Sequence, residues 1–356
     1  MGVGIALIRR FASHGGAPLG SRTFSATEAQ VQSSFDQAMR KAALLYNPVS
    51  GGSQKRRKTE LETVLSILRA ASVDASLVLT HSSAHAEEQA RQAVVAGCDA
   101  VFACGGDGTV HSIVQALVHS DVGLAILPMG TANALAHDLG LPMSLSAAAN
   151  VAIKGARRRV ALGHIKYVDR RGNPGTRFFI VAAGVGVDAH LFYKLNPDVK
   201  QRIGMAAYYG KAWHLWWTYT MTRFIAEYVE TGSAEPKQAS LTELLGVRIR
   251  HFGGVLQELA PGASLDRDDL RLILCHTASR WAYLSYVARA LLRRNPAVAG
   301  IELAHSSKVR CRYQESSSFS AGPETVYVEA DGELLGTLPV EITVVPDALT
   351  LLVPVR

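Results

Sequence analysis

The chain of 356 residues has few cysteines, and their spacing excludes several classes of protein. Cys98, Cys104, Cys275 and Cys311 form no C-x-x-C pair and no spacing typical of a zinc site or a disulfide framework. We therefore expect reduced thiols in a cytoplasmic protein. No uninterrupted apolar run reaches 18 residues, so we expect no segment that spans a bilayer.

Two common binding signatures are also missing. The pattern G-x-x-x-x-G-K-[ST] does not occur, which excludes the most familiar phosphate-binding loop. Basic residues are scattered apart from clusters at 55–58 and 157–159, and no RNA-binding aromatic signature accompanies them, so we expect no nucleic acid partner. The net charge of +7 favours other acidic partners, such as a nucleotide or an anionic membrane surface.

The most informative segment that is present reads Cys-Gly-Gly-Asp-Gly-Thr-Val at 104–110, between an apolar run and a helix-like stretch. Its glycines let the backbone lie against a ligand, and the N–H groups that open the helix favour phosphate. A carboxylate among phosphate oxygens needs a divalent cation between them, so Asp107 predicts a nucleotide with Mg²⁺. A tight turn with a solvated carboxylate is the alternative. The binding residues expected here are Gly105, Gly106, Asp107, Gly108 and Thr109.

Two further strand-turn-helix units accompany this turn. Asn-Pro-Val-Ser-Gly-Gly at 47–52 follows an apolar strand and precedes a helix that runs to about Ala71. Leu-Pro-Met-Gly-Thr-Ala-Asn at 127–133 ends another strand and precedes a helix over 134–139. The carboxyl ends of parallel strands lie on one edge of a sheet, so we predict one ligand site that uses all three turns.

Taken together, N-P-x-x-G-G, G-G-D-G-T and L-P-x-G-T-A-N resemble the diacylglycerol kinase catalytic domain family, which includes bacterial lipid kinases, sphingosine kinases and ceramide kinases. Segments at 182–189, 260–266 and 329–333 extend the resemblance from about Ala42 to the C-terminus. The resemblance implies ATP-dependent transfer of the γ-phosphoryl group to the hydroxyl of diacylglycerol or a related lipid. It also implies a cytoplasmic protein that binds the membrane peripherally, and it leaves a homodimer open.

The same resemblance assigns roles to individual residues. Glu333 would accept the proton of the lipid hydroxyl with Asp331 as its partner, although the D-G dipeptide also fits an ordinary hairpin turn. Asp107 is the rival base, but metal coordination suits it better. Asp188 would hold the acceptor, unless it only caps a turn. The resemblance places nucleotide contacts at Asn47, Thr80, Gly130, Thr131 and Asn133.

Several positions depart from the family pattern. Ala134 and Ala161 stand where the family has Asp, so fewer carboxylates would surround Mg²⁺. Arg267 replaces the second Asp of an A-x-x-D-D-G segment, which puts the family's structural metal site in doubt because an arginine repels a cation. His111 replaces a common Asn, and we interpret it as a polar residue at the start of a helix.

Three other functions therefore stay open. The A-N-A-L-A segment at 132–136 and Asp188 fit a sphingosine or ceramide kinase. G-G-D-G also occurs in NAD kinases, which resemble this family in their nucleotide domain. Finally, Ala134, Ala161 and Arg267 fit a lipid-binding protein that has lost turnover.

The predicted fold class is α/β. Strand-helix alternation up to about Ile153 predicts a doubly wound parallel sheet, and later β stretches predict a mainly antiparallel domain, with the active site in the cleft between them. We expect a disordered or targeting-like extension at 1–40, a nucleotide-binding domain at 41–156 and a β-rich lipid-binding domain at 157–356.

Two later segments complete the predictions. The aromatic-rich stretch 202–228 is interpreted as a helix, either at the membrane interface or lipid pocket, or packed on the β domain. The run 349–353 predicts a last strand, and the sequence leaves open which domain it joins.

Overall fold

The computed structural model describes residues 38–48, 54–187, 221–253, 258–292, 294–314 and 325–355, which belong to one compact unit. Most of the predicted extension, Asp188 and most of the predicted aromatic helix lie outside the described residues. No helix in the described ranges is both long and apolar enough to cross a membrane.

Four parallel strands form the N-terminal part in the order β2-β1-β3-β4. Strands β3 and β4 are buried along their whole length because helices cover both faces of the sheet. The strands are β1 (Lys41–Tyr46), β2 (Asp74–Leu79), β3 (Ala100–Gly105) and β4 (Gly123–Pro128). The helices are α1 (Gln54–Ala70), α2 (Ser83–Val95), α3 (Asp107–Leu117), α4 (Ala134–Asp138) and α5 (Leu145–Lys154).

The alternation of side chains along each strand divides the core into two layers. In β1, Leu45 packs in the layer formed with α2 and α3, whereas Leu44 packs with α1 and α5. In β3, Val101 and Phe102 divide in the same way. This arrangement confirms the predicted doubly wound sheet, and it places the carboxyl ends of the strands on one edge.

Antiparallel strands form the C-terminal part, as predicted, and its described residues include one further helix, α6 (Arg280–Leu291). The strands are β5 (Ala156–Val168), β6 (Pro174–Phe179), β7 (Ala182–Gly186), β8 (Phe224–Val229), β9 (Pro236–Leu241), β10 (Glu243–Val247), β11 (Leu270–Cys275), β12 (Ile301–Ser306), β13 (Lys308–Tyr313), β14 (Tyr327–Ala330) and β15 (Glu333–Val353).

Strand β15 contains the run 349–353, whose partner domain the sequence left open. Its first part pairs with β14, and its end pairs in parallel with β4 through Thr350 opposite Gly123 and Leu351 opposite Leu124. One continuous sheet therefore joins the parallel and antiparallel parts. The turn that begins β15 is held beside the edge where α3 begins.

One prediction is wrong at the end of the aromatic segment. Residues 224–229 form strand β8 rather than helix, and Phe224, Ala226 and Tyr228 alternate with more exposed neighbours. Their side chains pack into the core of the antiparallel part, between strands β13 and β9. The period of two, rather than the aromatic content, decides the conformation here.

Candidate active site

Two glycine turns meet at the edge of the parallel sheet. The turn after β3 and the turn after β4 approach so closely that a Cβ atom on Gly130 would lie 2.5 Å from the Cα atom of Gly106. The Met129 N–H donates to the Gly105 carbonyl at 3.0 Å. Only residues without a Cβ atom permit this approach. Two of the three turns that the sequence predicts to share one site therefore lie next to each other.

Only the first two residues of the third turn, Asn47 and Pro48, are described. The N–H of Asn47 donates to the Cys104 carbonyl at 3.3 Å, which places the end of β1 beside the end of β3. Arg57 of α1 donates to the Met129 carbonyl at 3.2 Å. The basic cluster at 55–58 therefore brings one cation to this edge, which the sequence did not indicate.

Several predicted nucleotide residues shape the turns. The Asn133 side chain accepts from the Gly130 N–H at 2.9 Å and donates to the Gly130 carbonyl at 3.0 Å. Thr109 is buried against Gly105. Thr80 is buried at the end of β2, whereas Thr131 is exposed. Asn133 and Thr109 thus hold the backbone whose N–H groups line the edge.

Asp107 is the first residue of α3 and lies between the two turns. Its Oδ1 atom accepts from the Ala134 N–H at 2.8 Å, so the carboxylate also joins α3 to α4. Burial raises the pKa of Asp107, and the negative charge of Asp331 raises it further. The next residue, Gly108, faces open space, because a Cβ atom there would have no neighbour within 4 Å.

The surroundings of Asp107 fit a magnesium ion delivered with phosphates. Mg²⁺ is usually held by one or two carboxylates together with substrate phosphates, so a cage of protein ligands is unnecessary. In the described part of the chain, no cluster of three acidic, histidine or cysteine side chains could hold a metal alone. A buried carboxylate whose pKa is raised is the group that a cation would stabilise most.

Asp331 occupies a turn that buries its carboxylate. Its backbone is left-handed, with φ of 48°, and it separates β14 from β15. Its two oxygens accept from three consecutive N–H groups at 2.8 to 3.0 Å, those of Ile180, Val181 and Ala182. The carboxylate therefore fixes the break between β6 and β7, and a hydrogen bond of 3.0 Å joins it to His111.

His111 lies at the centre of a charged network, although the sequence suggested only a polar residue at a helix start. Its side chain is 1% exposed. Because Nε2 accepts from Nε of Arg177 at 3.1 Å, the proton belongs on Nδ1, which donates to Asp331. Glu333 Oε2 lies 3.5 Å from His111 Nε2 and 3.6 Å from the Arg177 guanidinium. Arg177 also pairs with Glu87 at 3.3 Å.

This network changes the expected relation between Asp331 and Glu333. Within the described residues the two carboxylates are not hydrogen-bonded to each other, and His111 stands between them. Glu333 is 33% exposed, whereas Asp331 is almost completely buried. Asp331 therefore orients His111, His111 Nε2 orients Arg177, and the Arg177 guanidinium positions Glu333.

A cavity of about 350 Å³ opens between the parallel and antiparallel parts. Its carboxylates are Asp107, Glu329 and Asp331, and the rest of its described lining is mainly apolar. Glu333 is not among the described residues that line it. The apolar lining residues are Val110, Ala132, Ala134, Leu135, Ile180, Val181, Ala182, Leu245, Phe252 and Leu259.

The segment at 260–269 does not fit a second, structural cation. Arg267 forms two hydrogen bonds with the Asp269 carboxylate, at 2.7 and 2.5 Å. His305 adds a third contact at 3.2 Å, and the buried guanidinium of Arg248 donates to the carbonyls of Asp269 and Ala161. The guanidinium of Arg267 neutralises the Asp269 carboxylate, so no metal is needed there.

Two family models match this chain. Residues 41–165 match the diacylglycerol kinase catalytic domain, and residues 181–353 match the YegS C-terminal NAD kinase beta sandwich-like domain. A diacylglycerol kinase of Bacillus subtilis is 27% identical over 306 residues, covering 85% of this chain and 93% of that protein. A diacylglycerol kinase of Staphylococcus saprophyticus is 26% identical over 303 residues, covering 84% and 91%.

Solved structures share the fold. A putative diacylglycerol kinase from Bacillus anthracis superposes with a TM-score of 0.66 at 18% identity, covering 89% of this chain and 98% of that one. Yeast NADH kinase complexed with NADH superposes with a TM-score of 0.50 at 10% identity, covering 90% and 85%. At these identities the superpositions support the fold alone. The two matched domains and the curated relatives show that this chain belongs to the diacylglycerol kinase family of lipid kinases.

Proposed function

We propose that this lipid kinase transfers the γ-phosphoryl group of ATP, bound as its magnesium complex, to the hydroxyl of diacylglycerol or a related lipid. One observation carries the proposal. Asp107 belongs both to the glycine turn that suits phosphates and to the wall of the mainly apolar cavity. A phosphate chain on the turn and a lipid hydroxyl in the cavity would meet at this carboxylate.

The triphosphate would occupy the open space in front of Gly108 at the start of α3. The free N–H groups of a helix start and its dipole favour anions there. Asp107 would hold the magnesium ion, which neutralises charge on the phosphates during transfer. Thr131 is exposed beside the Gly106–Gly130 contact and is a candidate for a nucleotide contact. Asn47 and Thr80 are further candidates because of the family resemblance.

Glu333 is the proposed proton acceptor. It is partly exposed at the rim of the site, and the Arg177 guanidinium, which His111 orients, lies 3.6 Å from its carboxylate. Asp331 is a positioning residue in this scheme, because backbone N–H groups and His111 occupy its oxygens. Asp107 is the competing base, since its raised pKa and its place in the cavity suit proton transfer when no metal is bound.

The acceptor would lie in the apolar cavity. Asp188, proposed to hold its headgroup, directly follows Val187, whose N–H donates to the buried carboxylate of Glu243. An apolar lining suits an acyl chain better than the polar ribose of NAD, so we propose a lipid acceptor over NAD. Peripheral binding to the cytoplasmic side of a membrane follows from such an acceptor.

A long-chain base or ceramide is the second candidate acceptor. The A-N-A-L-A segment that resembles sphingosine kinases contributes Ala132, Ala134 and Leu135 to the cavity wall. The residues that resemble the sphingosine kinase branch of the family thus line the cavity where the acceptor would bind.

Phosphoryl transfer across a total lipid extract tests these proposals. The protein would be incubated with γ-labelled ATP, Mg²⁺ and extract, and the labelled product identified by mass, with Asp107→Asn as the inactive control. Labelled phosphatidic acid is the expected product, and a phosphorylated long-chain base or ceramide would establish the second candidate instead. Label on NAD, or tight lipid binding without any transfer, would overturn both.

A further inference from the structure

Helix α6 carries an exposed apolar surface outside the candidate active site. Four of the ten exposed large apolar side chains in the described ranges lie on this helix or at its C-cap. Trp281 is 71% exposed, and Leu292 is 63% exposed. A tryptophan and a leucine exposed to this degree on one short helix are unusual unless the surface has a partner. The exposed apolar residues are Trp281, Val287, Leu291 and Leu292.

The opposite face of α6 is fixed to the rest of the protein. Tyr286 and Ala290 are buried, and the Tyr286 hydroxyl donates to the Leu259 carbonyl at 2.7 Å. Tyr283 forms a hydrogen bond of 2.8 Å with the Thr242 hydroxyl. Because these contacts hold the inner face, the helix cannot bury Trp281 by rotating about its axis.

The same contacts place α6 beside the apolar cavity. Leu259, which accepts the hydrogen bond from Tyr286, also lines the cavity. Tyr286 packs in one core cluster with Ala182 and Leu245, which line the cavity as well. The inner face of the helix therefore packs in the same core cluster as two residues that line the proposed acceptor pocket.

The charge of this segment is of one sign. Residues 277–300 contain four arginines and no aspartate or glutamate. Arg280 and Arg289 lie on the helix and Arg294 follows it, while Glu258 in the adjoining segment pairs with Arg250 at 3.1 Å. An exposed tryptophan and leucines flanked by arginines match the interface of an anionic membrane, where apolar groups enter the acyl boundary and basic groups face the lipid phosphates.

We propose that α6 is the membrane-docking surface of this protein, and that its partner is an anionic phospholipid bilayer. Trp281, Leu291 and Leu292 enter the interface, and Arg289 and Arg294 contact lipid phosphates. Docking in this orientation places the acceptor pocket close to the bilayer. The proposal rests on the proposed function, because a membrane-docking helix beside the acceptor pocket is useful only if the acceptor is a lipid. Vesicle binding itself requires no turnover.

Vesicle co-sedimentation of the full chain, without nucleotide, tests the proposal. The vesicles would contain either phosphatidylcholine alone or equal parts of phosphatidylcholine and phosphatidylglycerol. We expect preference for the anionic vesicles, about fivefold weaker binding for Arg289→Gln and about tenfold weaker binding for Trp281→Ala. Arg69→Gln and Val95→Ala are matched controls, because both side chains are exposed on the parallel-sheet part, and both should bind as the wild type does.

Fluorescence gives a second readout that depends on the position of one side chain. Phospholipids with brominated acyl chains should quench a variant in which Trp213, Trp216 and Trp217 are replaced by Phe, because Trp281 is then its one tryptophan. Unquenched emission from that variant when it is bound to the vesicles would overturn the proposal, as would equal vesicle binding by the α6 variants and the controls.

Phosphoryl transfer in detergent micelles separates the two proposals. If Trp281→Ala and Arg289→Gln lose vesicle binding but transfer phosphate to micellar lipid like the wild type, both proposals stand. Vesicle binding that depends on α6 in a protein without transfer would leave docking intact and overturn the proposed reaction. Transfer that continues while vesicle binding ignores α6 would overturn docking alone.

Discussion

A methyl group added at Gly108 should weaken nucleotide binding while it stabilises the folded protein. Gly108 is the second residue of α3, and a Cβ atom there meets no other atom within 4 Å. Alanine is favoured over glycine inside a helix, so Gly108→Ala should raise the free energy of unfolding by roughly 0.5 to 1 kcal/mol. If the triphosphate occupies the space in front of Gly108, the added methyl group overlaps with the phosphate oxygens.

The cost to nucleotide binding follows from that overlap. Phosphate oxygens that contact the turn must move away from the α3 N–H groups, which weakens several hydrogen bonds to a charged ligand. Losing one such bond costs about 1.5 to 3 kcal/mol, which corresponds to about a tenfold to hundredfold weaker affinity for MgATP. The variant should therefore be more stable and less active than the wild type.

Gly130→Ala is the matched comparison in the neighbouring turn. Its Cβ atom would lie 2.5 Å from the Gly106 Cα atom, and both partners are backbone, so neither can rotate away. We expect a loss of about 3 kcal/mol or more in the free energy of unfolding, at the upper end of overpacking effects. Gly130→Ala should thus lose stability and binding together.

Urea unfolding gives the two stabilities, and titration calorimetry with MgATP gives the two affinities. Unfolding should shift to higher urea on addition of MgATP for the wild type and much less for Gly108→Ala. A Gly108→Ala protein that binds MgATP as tightly as the wild type would refute the placement of the nucleotide on this turn.

Four further predictions concern the carboxylates and His111. Burial raises the pKa of Asp107, so ionising this carboxyl group in the folded protein costs stability. The free energy of unfolding of the wild type should therefore fall relative to that of Asp107→Asn as the pH rises from the ordinary carboxyl pKa through the raised pKa of Asp107. Urea unfolding measured over this pH range checks the prediction. Asp107→Asn should also lose at least about a hundredfold in transfer rate. His111→Ala should lower the free energy of unfolding by about 2 to 4 kcal/mol and slow transfer about tenfold, because it breaks the bond to Asp331 and removes the acceptor that orients Arg177 beside Glu333, whereas His111→Asn should cost less in both assays. Asp331→Ala leaves three backbone N–H groups without their acceptor and should unfold at much lower urea, while a wild-type midpoint would contradict the role given to this turn.

The parallel part of the fold was readable from the sequence because its strands are short apolar runs that end at glycine turns. Leu44 and Phe102 belong to such runs, and both are fully buried between two helical layers. The meeting of Gly106 and Gly130 followed from the rule that parallel strands end on one edge. Local sequence and topology agree at these positions, so the prediction needed no distant contact.

The antiparallel part was harder to predict because aromatic content competed with periodicity. Residues 224–229 continue an aromatic run that favours a helix, but Phe224 and Tyr228 point into the core with the period of a strand. The exposure of Trp281 was likewise hidden, since a helix with apolar residues on both faces does not indicate which face is buried.

The candidate site likewise contains residues that local sequence identifies and residues whose roles depend on tertiary contacts. Asp107 was identified from its own turn, but the role of His111 depends on Asp331, which is 220 residues away, and on Arg177 in another strand. The left-handed turn at Asp331 and its three backbone donors depend on tertiary structure too. A lone histidine after G-G-D-G-T-V carries no local sign of such partners.

The most direct test of the central claim compares two carboxylates in one assay. The rate of phosphoryl transfer from MgATP to diacylglycerol in micelles would be measured for the wild type, Asp107→Asn and Glu333→Gln, beside the surface control Glu62→Gln. The account predicts that both site variants lose transfer by at least about a hundredfold while the control keeps the wild-type rate. Transfer at the wild-type rate by Asp107→Asn would contradict it.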